Sequence, residues 1–248
     1  MTLKQFFLEH PKAGLAFSGG TDSAYLLWAA KEYGCDIYAY FVKTAFQPAF
    51  ELEDAKRLSQ QLGARLAVIE TDVLCRQEIV QNGPERCYFC KKALFSKIKE
   101  QAQKDGCPIL IDGTNASDDA KDRPGMKALA QLQVRSPLRE CNLTKRQVRA
   151  ASKEAGLFTW DKPAYACLAT RIPTGVPITS ELLEKVELAE DALRAMGFSD
   201  FRVRVYHNAA RIQVTKAQAE KAVREQEKII SAIKPYFEAV LLDLEYRQ

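Results

Sequence analysis

Residues Gly14-Leu15-Ala16-Phe17-Ser18-Gly19-Gly20-Thr21-Asp22-Ser23 join an apolar run to a helical one through a glycine pair. The apolar first half reads as a short buried strand over 14–18. The run over 22–33 then carries a helical apolar pattern that closes at Gly34. A strand turning through two glycines into a helix leaves backbone N–H groups unpaired at the positive end of the helix dipole, where phosphate oxygens are attracted. Ser18, Thr21 and Ser23 add hydroxyl donors. The competing reading is a plain glycine turn with Thr21 or Asp22 as the N-cap; the strand before it and the full Ser18–Ser23 hexapeptide favour the phosphate loop. Neither the GxGxxG nor the GxxxxGK[ST] spacing is present.

Outward from this loop the pattern repeats. A strand over 36–42 precedes a helix over 51–62 that ends at Gly63, and a strand follows over 65–70. A helix over 87–104 ends at Gly106 before a fourth strand over 108–112. Strands separated by helices of about a dozen residues need crossover connections, so the expectation is an α/β fold, a doubly wound parallel sheet covered on both faces. Beyond about 174 the pattern changes to a helix over 179–196, a hairpin over 201–214 turning at 207–210, helices over 216–228 and 229–236, and a strand over 238–242. The expected division is a domain over 1–174 and a smaller α+β domain over 175–248.

Composition narrows the function. The 248 residues are 47% hydrophobic and 27% charged, enough for a full core. They lack the run of about 18 apolar residues that a membrane span requires, and the opening MTLKQFFLEHPKAG has no cleavable signal pattern, so a cytoplasmic protein without membrane contact is expected. A net charge of +4 is too small for a protein that coats nucleic acid. Local charge differs: between 121 and 153 stand nine Lys/Arg and two Asp/Glu, with Arg139 and Lys145 as candidates for pyrophosphate or a phosphorylated substrate.

Seven cysteines include the pair Cys87-Tyr88-Phe89-Cys90 at the start of a helix, where thiolates are stabilised. In a reducing compartment this spacing suggests metal or redox chemistry. It is half of a zinc site, but there is no second CxxC and the only histidines are His10 and His207. The remaining motif-like cysteine is Cys167, within Trp160 to Pro173 (WDKPAYACLATRIP). Three thiolates suit a [4Fe-4S] cluster whose fourth iron stays open to an exogenous ligand such as hydrosulfide. Cys35, Cys75, Cys107 and Cys141 read as small core residues. Asp112-Gly113-Thr114-Asn115 ends the fourth strand, where ligands collect in an open parallel sheet, and reads as a loop touching ribose or phosphate.

Ser18–Ser23 resembles the SGGxDS signature of PP-loop ATP pyrophosphatases. The resemblance implies that Ser18, Gly19, Gly20, Thr21, Asp22 and Ser23 line a pyrophosphate pocket with Mg2+. Asp22 then either reaches that ion or caps the helix. It also implies that Ala16, Phe17, Phe41 and Val42 approach the nucleoside. With Glu85 to Lys91 (ERCYFCK), Asp112 to Asn115, Ser136-Pro137-Leu138, Trp160 to Pro173 and Arg202-Val203-Arg204, the chain resembles over nearly its whole length the LarE sulfur transferases of nickel-pincer nucleotide cofactor biosynthesis, which serve lactate racemase maturation.

That resemblance implies adenylation by ATP of a carboxylate on a pyridinium biscarboxylic acid mononucleotide, followed by displacement of AMP by sulfur to leave a thiocarboxylate. One branch of the family sacrifices a cysteine that matches Cys167; a branch with the extra CxxC resembles enzymes that pass on sulfide from a [4Fe-4S] cluster. Cys87, Cys90 and Cys167 together favour the second. Arg171 then holds adenylate or carboxylate, Glu190 lies near the sulfur centre, and Arg202 and Arg204, on one face of the hairpin, hold the substrate's phosphate at a subunit interface of a homo-oligomer. Sulfide or another sulfur donor is the second partner. A tRNA thiolase would need a wide basic surface, and an ammonia-dependent amide synthetase has no use for the CxxC; a metal-binding module with a merely structural loop would not release pyrophosphate.

Overall fold

The computed structural model describes residues 1–118 and 124–247. Lys121, Asp122 and Arg123 of the basic segment lie outside the described residues. The chain divides into two compact units, one formed by Met1–Val73 with Glu85–Lys162 and the other by Leu74–Pro84 with Pro163–Gln248. Among the described residues no helix is long and apolar enough to cross a membrane.

In the first unit, β1 (Lys12–Ala16), β2 (Asp36–Lys43), β3 (Arg65–Glu70) and β4 (Leu110–Ile111) form a parallel sheet in the order β3-β2-β1-β4. This is the expected doubly wound sheet. The crossovers carry α2 (Thr21–Glu32), α3 (Ala49–Gln61) and α5 (Arg86–Lys104). α2 is buried around most of its circumference, with Leu26, Leu27, Ala29 and Ala30 inaccessible; each leucine removed from water contributes about 1.5–3 kcal/mol. Phe6 and Phe7 of α1 (Leu3–Glu9), with Leu138 and Val148 from α7 (Pro137–Glu140) and α8 (Lys145–Glu154), complete that core.

Several boundaries differ from the sequence expectation for local reasons. β1 begins at Lys12 and ends at Ala16 because the chain leaves the ladder after Phe17 donates its N–H to Tyr40. β4 pairs over only two residues, Gly14 with Leu110 and Leu15 with Ile111. The helices α1 and α8 were not expected, although each opens on a capping box legible in the sequence, Thr2 with Gln5 and Thr144 with Gln147. Among the described residues, short α4 (Gln77–Val80) and α6 (Pro124–Gln131) complete the helices before residue 160.

In the second unit, β5 (Arg202–Tyr206) and β6 (Ala209–Gln213) form the expected hairpin, turning at His207-Asn208 with His207 at φ +52°. β7 (Ala239–Leu242) joins β6 in parallel. Helices α9 (Ser180–Ala195), α10 (Lys216–Arg224) and α11 (Gln226–Ile233) supply the apolar side, and α9 contributes Leu183, Val186, Ala189 and Leu193.

The boundary expected at 174 compares with one at 162/163, with 74–84 also part of the second unit. Asn82 explains why 74–84 belongs there. It is buried at φ +52°, its amide donates to the carbonyls of Pro173 (2.9 Å) and Val176 (3.1 Å), and its own carbonyl accepts Gly175 N–H at 2.9 Å. No local signal in the sequence announces that pairing of distant segments.

Candidate functional site

β1 and β4 are neighbours whose following chains run to opposite sides, the switch point where an open α/β sheet collects ligands beyond its strand ends. A cleft of about 330 Å³ lies there, lined by Ala16, Ser18, Gly20, Asp22 and Ser23 from one side and Asp112, Gly113, Thr114 and Asp118 from the other, with Lys91 and Phe95 of α5 and Met126 of α6. Gly20 is the N-cap of α2 and offers no side-chain hydrogen bond to the helix start. The first N–H groups of α2 therefore remain available for an anion.

Glycine is required at two points by space. Gly19 sits at φ +69° against the backbone of α3, where a Cβ would lie 3.3 Å from Ala55 N and Glu51 O. At Gly113 a Cβ would stand 2.8 Å from Ser23 N, so the loop after β4 closes directly onto the helix start. Hydroxyls tie the loop to itself: Ser18 and Ser23 Oγ are 3.1 Å apart, and Ser23 Oγ donates to Gly20 O at 3.2 Å.

Of the residues expected at the nucleotide, Ala16, Ser18, Gly20, Asp22, Ser23, Gly113 and Thr114 line the cleft. Gly19 turns to α3. Thr21 is buried and donates its hydroxyl to Thr159 O at 2.7 Å. Phe17 and Phe41 belong to one core cluster and Val42 to another. Asn115 acts through Asp22, donating Nδ2 to Oδ1 at 3.3 Å, while Lys145 Nζ meets Asp22 Oδ2 at 2.5 Å.

Asp112 has a different setting. Its carboxylate accepts the Thr114 hydroxyl at 2.6 Å and the Ser136 hydroxyl at 2.7 Å, which is what the Ser136-Pro137-Leu138 turn contributes. Arg139 donates to Asp118 O at 3.2 Å. Phe95, Asp118 and Met126 were not singled out in the sequence; Asp118 and Met126 belong to the approach to the cleft only through the fold.

Cys87 and Cys90 lie in the first turns of α5, Cys87 exposed and Cys90 buried. Cys167 is in the second unit, half-buried, as the cap of a 3-10 turn over Leu168–Arg171. Its carbonyl accepts the Thr170 hydroxyl at 2.8 Å and Arg171 Nη1 at 3.3 Å. Among the described residues no group of three or more His, Cys, Asp and Glu forms a metal site.

Around Cys167 the second unit is a charged network. Glu190 interrupts the apolar stripe of α9 and is 1% exposed. It accepts Arg171 Nε at 2.8 Å and Nη2 at 3.0 Å, the Tyr165 hydroxyl at 2.5 Å and Val203 N–H at 3.0 Å. Arg171 Nη1 donates to Ala166 O and Thr170 Oγ1. Both ions are out of water and fully hydrogen-bonded, the condition under which a buried pair is tolerated. Burial first, and then the Glu190 charge, hold the Tyr165 phenol above its ordinary pKa, so it stays a donor.

Arg202 is buried, donating to Phe201 O and Ala164 O beside the Tyr165 ring. Burial, then Arg171 and Arg247, pushes its pKa down to about 10. Arg204 is half-buried, donates to Thr170 O at 3.1 Å, and is lowered by burial and the same crowding of guanidinium groups. Arg211 stands opposite Arg204 across the hairpin. It was missed, although the alternation of the second strand puts it on that face. Asp243 lies 3.4 Å from Arg211 and Asp200 3.9 Å from Arg202, so the positive charge of this face is partly offset.

The chain matches no family model. It is 37% identical over 227 residues to an uncharacterized protein of Synechocystis, covering 90% of this chain and 84% of the relative. An uncharacterized Methanocaldococcus jannaschii protein is 32% identical over 98% of this chain and 93% of its own length. The pyridinium-3,5-bisthiocarboxylic acid mononucleotide synthase of Lactiplantibacillus plantarum is 32% identical over 219 residues, 88% of this chain and 79% of the relative. A tRNA-specific 2-thiouridylase of Pseudothermotoga lettingae matches 61% of the chain at 25% identity. With a glycine loop at the switch point of a parallel sheet and relatives of this extent, the chain belongs to the LarE family of PP-loop ATP-dependent sulfur transferases.

Proposed function

We propose that this protein converts a carboxylate of pyridinium-3,5-biscarboxylic acid mononucleotide to a thiocarboxylate, at the expense of ATP. The observation that carries the reading is the open, uncapped start of α2 at the switch-point cleft in a chain that shares 32% identity with a synthase of the bisthiocarboxylic acid mononucleotide. The thiouridylase match supports sulfur chemistry in general, but it covers less of the chain at lower identity, so the mononucleotide is preferred to tRNA.

The N–H groups of α2 and the Ser18 and Ser23 hydroxyls hold the phosphates and stabilise charge as it moves toward the leaving pyrophosphate. A carboxylate oxygen of the substrate attacks the α-phosphorus, and the bond to the bridging oxygen breaks with its electron pair leaving on pyrophosphate. The resulting acyl adenylate is an electrophile that the carboxylate was not. Hydrosulfide adds to the acyl carbon, AMP departs with the former carboxylate oxygen, and the proton left on sulfur goes to solvent. Arg202 and Arg204 hold the substrate's phosphate, and Arg171 and Glu190 fix the turn that carries Cys167.

Cys87, Cys90 and Cys167 would hold a [4Fe-4S] cluster, which when bound supplies hydrosulfide at its open iron; the support is the donor set, three thiols with two at a helix start. The same reading makes the protein a cytoplasmic homo-oligomer, in keeping with exposed Leu241, Leu242 and Leu244 on and beyond β7. The test is anaerobic purification with iron and sulfide analysis, then turnover with excess sulfide and mass spectrometry of the chain. Multiple products per chain with Cys167 unchanged support sulfide relay. One product per chain with Cys167 converted to dehydroalanine overturns it in favour of sacrifice.

A further inference from the structure

Among the described residues the cleft presents three carboxylates, and two are committed. Asp112 accepts the Thr114 and Ser136 hydroxyls, and Asp118 accepts the Asn115 N–H at 3.0 Å. Asp22 differs: one oxygen, Oδ1, accepts Asn115 Nδ2 at 3.3 Å, but the partner of the other is a cation on a long stem. Lys145 Nζ meets Oδ2 at 2.5 Å, with both side chains partly exposed (32% and 22%).

The main chain of Lys145 is anchored. It is the first residue of α8, inside the Thr144–Gln147 capping box, and its N–H donates to Ser117 Oγ at 3.0 Å. The stem is therefore the part free to swing. An ammonium and a divalent cation both seek the same carboxylate oxygen, and two positive charges so close repel strongly where water is partly excluded.

We propose that Lys145 is a resident counter-ion of Asp22, a stand-in for the divalent cation, which the metal must displace. This rests on the reading that the cleft takes Mg·ATP. A metal arriving alone exchanges one cation for another and gains little. A metal arriving on nucleotide brings phosphate oxygens as further ligands, which suit Mg2+, and gives the released ammonium an anion nearby. The exchange keeps the cleft free of metal until the nucleotide comes.

The probe is Mn2+ added to the full-length protein without nucleotide, with free ion followed by electron paramagnetic resonance. Lys145→Met is expected to bind Mn2+ on the order of tenfold more tightly than the parent, the scale of removing one partly buried competitor. Lys145→Arg retains the parent's weak binding, and the double variant Lys145→Met/Asp22→Asn loses the gain. A structural role for Lys145 would not raise metal affinity. Unchanged or weaker Mn2+ binding in a folded Lys145→Met chain overturns the counter-ion role. Equilibrium binding of Mg·ATP to the parent is measured beside it: its absence would sink the nucleotide reading, while its presence with unchanged Mn2+ affinity would sink the counter-ion alone.

Discussion

The cleft beyond β1 and the network around Cys167 handle charge in opposite ways. In the cleft, backbone geometry does the work: an uncapped helix start, two glycines fixed by close approach, and N–H groups left for a ligand. In the second unit, side chains do it. Arg171 and Glu190 are fully buried and satisfy each other, and Tyr165 and the Val203 N–H fill the remaining acceptor sites. The first arrangement stores unsatisfied donors for substrate; the second closes its own accounts and fixes one cysteine in place. Mutation should therefore harm binding in the first region and stability in the second.

Stability responds most strongly. Glu190→Ala strands the Arg171 guanidinium in the interior and should cost about 3–5 kcal/mol in chemical denaturation; a cost below about 1 kcal/mol would show that the pair is dispensable. Asn82→Ala removes donors from buried carbonyls and leaves alanine at φ +52°, at a cost of about 2–3 kcal/mol by the same assay. For the cleft, Gly113→Ala must push against Ser23 N. Calorimetry should find ATP affinity lower by about 10–100-fold, on the scale of one to two lost backbone hydrogen bonds to a charged group, with a stability cost of about 1–3 kcal/mol from the overpacked backbone.

The smallest effect is a pH dependence. Arg202 is held down to about 10, below its ordinary value. The folded chain thus binds that proton less tightly than the unfolded chain, which costs stability at neutral pH, and the cost shrinks as pH rises through the folded value. Any stability that Arg202→Met gains over the parent at about pH 8 should fall by about pH 11, as read from paired thermal melts. A gain that grows with pH would reverse the sign and contradict the burial argument.

The sheet and the phosphate loop were legible because their causes are local. An apolar strand, a glycine pair and a helix pattern occur within 14–33, and the 3.6-residue stripe of α9 is equally plain. What stayed hidden depends on contacts between distant residues. Nothing near Lys145 announces Asp22, and nothing in 74–84 announces that Asn82 bonds to carbonyls over 172–176. Arg171 read as a ligand clamp because a sequence displays a charge without its partner; the partner is Glu190, 19 positions on. The capping boxes of α1 and α8 were local and could have been read.

In the proposed reaction ATP activates the substrate's carboxylate before sulfur arrives. The most direct measurement uses the biscarboxylate mononucleotide labelled with oxygen-18 in its carboxylates, with ATP, Mg2+ and sulfide, and mass spectrometry of the nucleotide released. An acyl adenylate that sulfur opens at the acyl carbon predicts AMP carrying one labelled oxygen, alongside a thiocarboxylate that retains the other. Unlabelled AMP, or ADP with phosphate in its place, would contradict it.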